Sequence, residues 1–187
     1  MTLPKLLSIA ALALTLSACV SMPAPRYQPG VENTSVLLQH RPRLSIGAFT
    51  ASTDINNRSL SIRGSQLKGG SDGTYSGYLR EALISELEAA HALDASAPVV
   101  LSGELTRNSL DGSGVKVGKA EVGARFAVAR NGTEIYAREL IVQHEWESSF
   151  VGAIAIPAAM DNYSAAVQKL IGKLLADPEF IAAVQSD

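Results

Sequence analysis

Two stretches of the chain carry apolar residues at the spacing of an amphipathic helix. In the first, from Thr74 to about Ala90, apolar residues recur at intervals of three and four, and glutamates are assigned to the opposite face. The second starts at Pro157, a residue suited to the first turn of a helix, and ends before Asp177-Pro178. The pattern therefore predicts two long helices, with a short last turn over 180–184. The apolar positions are Tyr75, Tyr78, Leu79, Ala82, Leu83 and Leu87 in the first helix, and Ala159, Tyr163, Ala166, Val167, Leu170, Ile171 and Leu174 in the second.

Alternating apolar and polar residues predict the strands. Asn131-Gly132 separates two such runs and is the strongest short signal for a hairpin, because both residues tolerate positive φ. The composition of 63–73 and of 107–114 predicts loops there. The predicted strands are residues 44–49, 60–62, 99–105, 120–128 and 135–146.

The register of this hairpin raises a problem on the core face. Pairing Val128 with Ile135 places Ala124 opposite Glu139, which would put a glutamate among apolar neighbours. A bulge or twist near Arg138 is therefore expected.

The order of these elements, β-α-β-β-β-α with a short second strand, predicts an α+β fold of two layers. A mostly antiparallel sheet of about four strands is covered on one face by the two long helices. Residues 43–187 are expected to form this single domain. Residues 20–42 hold four prolines and little apolar periodicity, and so predict a flexible tether. The prolines are Pro23, Pro25, Pro29 and Pro42.

The N-terminus has the layout of a secretory signal peptide. Lys5 is followed by the apolar run Leu6 to Leu16, which is shorter than the roughly 20 residues a membrane span needs. The run ends in Leu16-Ser17-Ala18-Cys19, which resembles the lipobox of bacterial lipoproteins. That resemblance implies a signal peptide over 1–18, cleavage before Cys19, diacylglycerol on its sulfur and acylation of its amino group. Val20, rather than aspartate, after the cysteine favours the outer membrane.

The amino-acid composition restricts the classes of protein and partner that fit the chain. Apolar residues make up 47% of the 187-residue chain and charged residues 18%, which is typical of a globular domain. The chain has 16 basic and 18 acidic residues, so it lacks the excess of positive charge that is typical of nucleic-acid-binding proteins. Cys19 is the only cysteine, so packing rather than disulfides must hold the domain.

One motif suggests catalysis. Gly69-Gly70-Ser71-Asp72-Gly73 fits the G-x-S-x-G pattern of serine hydrolases, and a predicted helix follows it. That motif needs a buried strand directly before the serine, and Gln66-Leu67-Lys68 does not predict one. A serine hydrolase using this loop is kept as an alternative, with His91 and His144 as the downstream histidines.

Other catalytic and metal-binding patterns are incomplete. His144-Glu145 begins an H-E-x-x-H motif, but Ser148 stands where the second histidine belongs. His40, His91 and His144 are spread along the chain without ligand spacing. We therefore expect no catalytic residues, no cofactor and no metal site, and expect lipidation at Cys19 alone.

Three segments resemble recurring segments of uncharacterised proteobacterial lipoproteins: "YLREALISELEAA" (78–90), "VVLSGELTRNSLD" (99–111) and "ESSFVGAIAIPAAMDNYSAAVQKLIGKLLADPEF" (147–180). The layout is also similar to that of the lipopolysaccharide-assembly lipoprotein and of auxiliary lipoproteins of ABC-type transporters. The resemblance implies an outer-membrane-anchored periplasmic lipoprotein that acts as a non-enzymatic binding or assembly component of the envelope. Its expected partners are the membrane, through the lipid on Cys19, and an envelope protein or lipid. A structural tether to the cell wall is a further alternative.

Overall fold

A computed structural model describes residues 21–114 and 116–185. The predicted signal peptide and Cys19 lie outside these residues. Four helices and seven strands are described. The strands are β1 (Ser21–Pro23), β2 (Ser45–Ala51), β3 (Ser59–Ile62), β4 (Ser65–Lys68), β5 (Val99–Asp111), β6 (Val117–Arg130) and β7 (Thr133–Glu147), and the helices are α1 (Val31–His40), α2 (Tyr75–Ala89), α3 (Gly152–Leu175) and α4 (Pro178–Val184).

The larger sheet has the strand order β2-β5-β6-β7. Strand β2 is parallel to β5, and the pairs β5–β6 and β6–β7 are antiparallel. Helix α2 contacts β2 and β5, while α3 contacts β6 and β7, so the apolar stripes of both helices and one face of the sheet form one core. Exposed Lys119 and Arg125 of β6 lie on the other face. The predicted α+β class, with a four-stranded sheet and two long helices, is confirmed.

The β6–β7 hairpin turns at the predicted residues but in a different register. Asn131 and Gly132 have φ values of 51° and 83°, as a two-residue turn with two positive φ values requires. Ala124 pairs with Leu140 rather than with Glu139. The register shift lies beside Ile135 and not near Arg138, because Val128 pairs with Tyr136 while Ala129 pairs with Glu134. This one extra residue turns Leu140 into the core and leaves Glu139 exposed.

Two predicted loops contain strand residues. Strand β5 continues through Asp111, because a register shift between Leu105 and Arg107 restores an alternation in which Leu110 is buried. Residues 63–73 contain β4, whose buried Leu67 packs into the core. Strand β4 is the centre of a second sheet of order β1-β4-β3, parallel to β1 and antiparallel to β3.

Helix α3 begins at Gly152, before the predicted start at Pro157. Proline within a helix removes one backbone hydrogen bond, but Pro157 is exposed and lies within the second turn, so solvent can satisfy the freed carbonyl. The first turn of α3 is therefore made of residues that the periodicity did not assign to a helix.

Helix α4 is attached to β7 through its N-cap, Asp177. The Asp177 carboxylate accepts hydrogen bonds from the Glu179 backbone nitrogen at 3.0 Å, the Tyr136 hydroxyl at 2.9 Å and Arg138 Nη1 at 2.8 Å. Burial acts to raise the pKa of Asp177, but these three donors outweigh it and hold the pKa below its ordinary value. The same carboxylate thus caps a helix and joins it to the sheet.

The predicted flexible tether is wrong for residues 21–42. This segment forms β1 and α1, and Tyr27 and Leu37 are buried in the core. Helix α1 ends where Arg41 adopts a left-handed conformation, with φ of 47°. Its periodicity is weak because only Asn33 and Leu37 are buried, and prolines precede it in extended segments that the composition does not distinguish from a linker.

Candidate functional site

A cleft of about 510 Å³ lies where the N-terminal segment crosses helix α2. One wall is the chain that follows β1, and another is the loop that follows β4. Helix α2 forms the floor. The lining residues are Pro23, Ala24, Pro25, Arg26, Tyr27, Gly69, Gly70, Ser71, Tyr78, Glu81, Ile84, Ser85 and Glu88.

Ser71, the predicted candidate nucleophile, lies at the rim of this cleft and faces Glu81. Its backbone nitrogen donates to Glu81 Oε1 at 2.9 Å, and its hydroxyl donates to the same oxygen. Asp72 accepts hydrogen bonds from the Thr74 backbone and hydroxyl, both at 2.8 Å. The Thr74 hydroxyl in turn accepts from the Gly77 nitrogen at 3.0 Å and caps α2. Thr74 therefore satisfies one open amide of the helix N-terminus, that of Gly77, while Asn57 accepts from the amides of Tyr75 and Ser76.

The glycines of the G-x-S-x-G pattern are needed for close packing. A Cβ at Gly69 would lie 2.2 Å from the carbonyl of Thr74, and one at Gly70 would lie 2.8 Å from the backbone nitrogen of Tyr78. Gly73 has a φ of 75°, which favours glycine. These constraints explain why three glycines occur in this loop.

The expectation that no strand precedes this motif is wrong, since β4 ends at Lys68. Ser71 lies in the loop between β4 and α2, with a carboxyl group rather than an imidazole as its partner. In the described part of the chain, neither His91 nor His144 lines the cleft. The structure does not bring the serine and histidines of the hydrolase alternative together.

Behind the cleft, Glu86 of α2 is fully buried and binds three donors from the N-terminal segment. Its Oε1 accepts from the Tyr27 hydroxyl at 2.6 Å, the Gly30 nitrogen at 3.0 Å and Asn33 Nδ2 at 2.8 Å. Asn33 Nδ2 also donates to the carbonyl of Gln168 in α3, at 3.1 Å. Among the described residues, Glu86 Oε2 has no hydrogen-bond partner. We call these residues the Glu86 node; it joins the N-terminal segment to both long helices.

Four tyrosine rings pack in a chain that starts in the lining of the cleft, at Tyr27 and Tyr78, and continues into the core. The ring centroids of Tyr27 and Tyr78 are 6.3 Å apart, those of Tyr78 and Tyr163 are 6.1 Å apart, and those of Tyr163 and Tyr75 are 5.1 Å apart. Burial raises the pKa of all four hydroxyls, and for Tyr27 the hydrogen bond to Glu86 raises it further. The hydroxyls therefore remain neutral donors, and packed rings hold the floor of the cleft in one arrangement.

The histidines considered from the sequence have separate surroundings. His144 Nε2 lies 2.9 Å from Asn162 Oδ1, and its Nδ1 lies 2.8 Å from Lys169 Nζ. His91 follows α2 with a φ of 54°, and His40 ends α1. No group of three His, Cys, Asp or Glu side chains that could hold a metal is found within residues 21–114 and 116–185. Cys19 lies outside these ranges.

The buried carboxyl of Glu86 was missed from the sequence, although its position contained the signal. Glu86 was assigned to the polar face of the first predicted helix together with Glu81 and Glu88. It follows Ala82 by four residues and Leu83 by three, which places it on the buried stripe. A carboxyl group at such a position needs internal donors, and Tyr27 and Asn33 supply two of them.

None of the helices described is both long enough and apolar enough to cross a bilayer.

The two-layer α+β arrangement, with a mixed four-stranded sheet and the N-terminal segment folded against α2, places the chain in a known structural class. A protein of Xanthomonas campestris assigned to the DUF330 family has a similar fold, with a TM-score of 0.60 at 12% identity, covering 87% of this chain and 96% of that chain. A Caulobacter crescentus protein described as "a putative lipoprotein" has a TM-score of 0.50 at 16% identity, covering 83% and 98%.

At such identities the likeness shows a shared fold, and at that level the predicted resemblance to proteobacterial lipoproteins is confirmed. No family model matches the sequence, and no curated protein matches it.

Proposed function

We propose that the protein is a bacterial lipoprotein, anchored through Cys19 with its domain in the periplasm, and that it binds or helps to assemble another envelope component without catalysing a reaction. The observation that carries this proposal is the signal layout that ends in Leu16-Ser17-Ala18-Cys19. The fold shared with a Caulobacter crescentus "putative lipoprotein" supports it. The diacylglycerol and amino-terminal acyl chains together would hold the protein stably, since one chain alone binds a bilayer only marginally.

The cleft supports a binding role. It offers Ser71, Glu81, Ser85 and Glu88 as polar contacts beside the apolar side chain of Ile84. The Glu86 node and the packed tyrosines hold its walls before any ligand arrives. A preformed cleft of this kind loses little conformational freedom on binding, which favours recognition.

The anchor is tested in cells. Globomycin treatment or Cys19→Ser should leave an uncleaved or unlipidated precursor of altered mobility. In a sucrose gradient, the untreated protein should sediment with the outer membrane, as Val20 implies. A product of unchanged mobility that still fractionates with membranes would overturn the lipoprotein assignment, while sedimentation with the inner membrane would overturn only the outer-membrane location.

The partner is tested by crosslinking in cells followed by mass spectrometry. A photo-crosslinking amino acid at Ser85, in the cleft, should capture a specific envelope component. The same amino acid at exposed Glu134, in the β6–β7 hairpin, is the matched control. Equal capture at both positions, or none at either, would count against a binding role for the cleft. Recovery of peptidoglycan fragments alone would instead favour a cell-wall tether.

One observation keeps the hydrolase alternative testable: Ser71 lies between a strand and a helix at the rim of a cleft. If the protein hydrolyses an ester or amide in this cleft, Ser71→Ala should abolish that activity while the protein stays folded. We expect no serine-dependent hydrolysis, because the hydroxyl is hydrogen-bonded to Glu81 as part of the loop structure.

A further inference from the structure

Three large apolar side chains at the junction of β7 and α3 are exposed. Phe150 is 82% exposed, Val151 51% and Ile154 59%. Val151 is the N-cap of α3 and its carbonyl accepts from the Ile154 nitrogen at 3.0 Å, so the three side chains lie on one turn. We call them the apolar tip. A contiguous exposed patch of this kind marks a surface that contacts another molecule or a membrane.

The apolar tip is held rigidly by Arg63. This residue occupies the turn between β3 and β4, with φ of 47°, and is followed by Gly64 with φ of 81°. Its Nη1 donates to the carbonyl of Phe150 at 2.9 Å, and its Nη2 donates to that of Ser149 at 2.6 Å. The same guanidinium also binds the carbonyls of Gly112 and Gly114, at 2.8 and 3.2 Å. The turn and both loops therefore form one fixed end of the domain.

The N-terminus of the described chain leaves at this same end. Strands β1 and β4 are parallel, and Ser21 pairs with Gln66. The residues that precede Ser21 therefore begin beside the start of β4, next to the Arg63-Gly64 turn. Cys19 is two residues before Ser21, so their Cα atoms lie within about 8 Å of each other whatever the conformation between them. The predicted lipid anchor and the apolar tip thus share one end of the domain.

We propose that the apolar tip inserts into the membrane surface beside the anchor and seats the domain on the bilayer in a fixed orientation. The proposal rests on the lipidation of Cys19 proposed above. Near the tip, the cations Arg63 and Lys116 are matched in number by the exposed carboxylates Asp111 and Glu147. Val117, the strand partner of Glu147, is 44% exposed. Opposite charges of equal number give little net attraction to anionic lipid, so apolar burial supplies the contact.

This orientation also determines where the cleft lies relative to the membrane. Strands β1 and β4 start at the membrane end, and the cleft is lined by residues at and beyond their other ends, Pro23 to Tyr27 and Gly69 to Ser71. Four residues of strand span about 13 Å, so the cleft lies about that far along the strands from the membrane end of the domain.

The test uses the full lipidated protein in vesicles of phosphatidylethanolamine and phosphatidylglycerol. Cys19 is the only cysteine of the chain, and its sulfur is in a thioether once lipidated, so Phe150→Cys provides one free thiol for a polarity-sensitive fluorophore. Ile154→Cys is a second probe of the tip. Ile135→Cys is the matched control, because Ile135 is an apolar residue, 42% exposed, in the hairpin at the opposite end of the sheet.

We expect iodide in the water to quench the fluorophores at 150 and 154 at least about threefold less than the one at 135, because an inserted tip lies some 5–10 Å inside the interface. Lipids with brominated acyl chains should quench the fluorophores at 150 and 154 more than the one at 135. Raising the salt concentration should change neither the iodide result nor the bromolipid result. Equal iodide quenching at all three positions on protein bound to vesicles would overturn the insertion of the apolar tip while leaving the anchor intact. Failure of the cleaved, purified protein to float with the vesicles would overturn the anchor and the seating together.

Discussion

Removing the buried carboxyl of Glu86 should detach the N-terminal segment from the domain. In Glu86→Ala the Tyr27 hydroxyl and the Gly30 nitrogen lose their acceptor, while Asn33 keeps the carbonyl of Gln168. Two buried donors are thus left unpaired. Each costs about 1–3 kcal/mol, and the substitution also leaves a cavity.

One contribution acts in the opposite direction. Glu86 Oε2 has no partner in the described structure, so removing it relieves the cost of burying a polar atom. We therefore expect a loss near the lower end of the range, about 3 kcal/mol of the free energy of unfolding. Since domains of this kind are stable by about 5–15 kcal/mol, the protein should still fold, with the loss concentrated in the segment that Glu86 holds.

Two measurements test this. Urea unfolding followed by the fluorescence of Trp146, the only tryptophan, gives the change in stability. Hydrogen exchange should show loss of protection in α1, with little change in α3. Glu88→Ala is the control, because Glu88 is exposed on the same helix. If Glu86→Ala and Glu88→Ala agree within about 0.5 kcal/mol and α1 keeps its protection, the Glu86 node does not hold the segment.

Three further substitutions test other parts of the structure. Asp177→Asn should lower the free energy of unfolding at pH 6, and this loss should shrink as the pH falls below about 4. The pKa of Asp177 is lowered in the folded protein, so its contribution to stability is lost as the pH falls through that pKa. A difference in urea midpoint between variant and wild type that is the same at pH 6 and pH 3 would contradict this. Arg63→Ala should speed hydrogen exchange at 149–151, whereas Arg58→Ala, at an exposed position, should not; unchanged exchange would remove the basis for a rigid tip. Gly70→Ala should cost about 1–3 kcal/mol because its Cβ meets the backbone of α2, while Gly152→Ala, with no atom within 4 Å, should be neutral or mildly stabilising; equal urea midpoints for the two variants would argue against that close contact.

Helices α2 and α3 and the strands of the larger sheet could be predicted because each carries many periodic positions. Helix α1 could not, since only two of its residues are buried and it follows a run of prolines that also suits a linker. The register of β7 depends on one extra residue at Ile135, and no local sequence signal distinguishes that bulge from one near Arg138.

The candidate site, like the fold, could be predicted from the sequence only in part. The glycine-rich loop around Ser71 could be found as a motif, but its partner Glu81 is ten residues away and the wall at Tyr27 comes from a segment expected to be free. Glu86 could have been placed on the core face by its spacing from Ala82 and Leu83. Its residue type predicts the polar face, whereas its position in the helix predicts the buried face. For a buried polar residue these two signals conflict.

With the proposed lipid on Cys19, the folding of residues 21–42 would limit how far the domain can reach from the membrane. A flexible coil of that length would let the domain drift roughly 25 Å from its lipid. Val20 alone lies between Cys19 and Ser21, where β1 begins, so the Cα atoms of Cys19 and Ser21 are at most about 8 Å apart. A compact domain of this size is about 40 Å across, so an anchored molecule reaches little farther than its own diameter. Any component that the anchored domain contacts would then have to come to that membrane, and inserting residues between Cys19 and Ser21 would extend this range without altering the cleft.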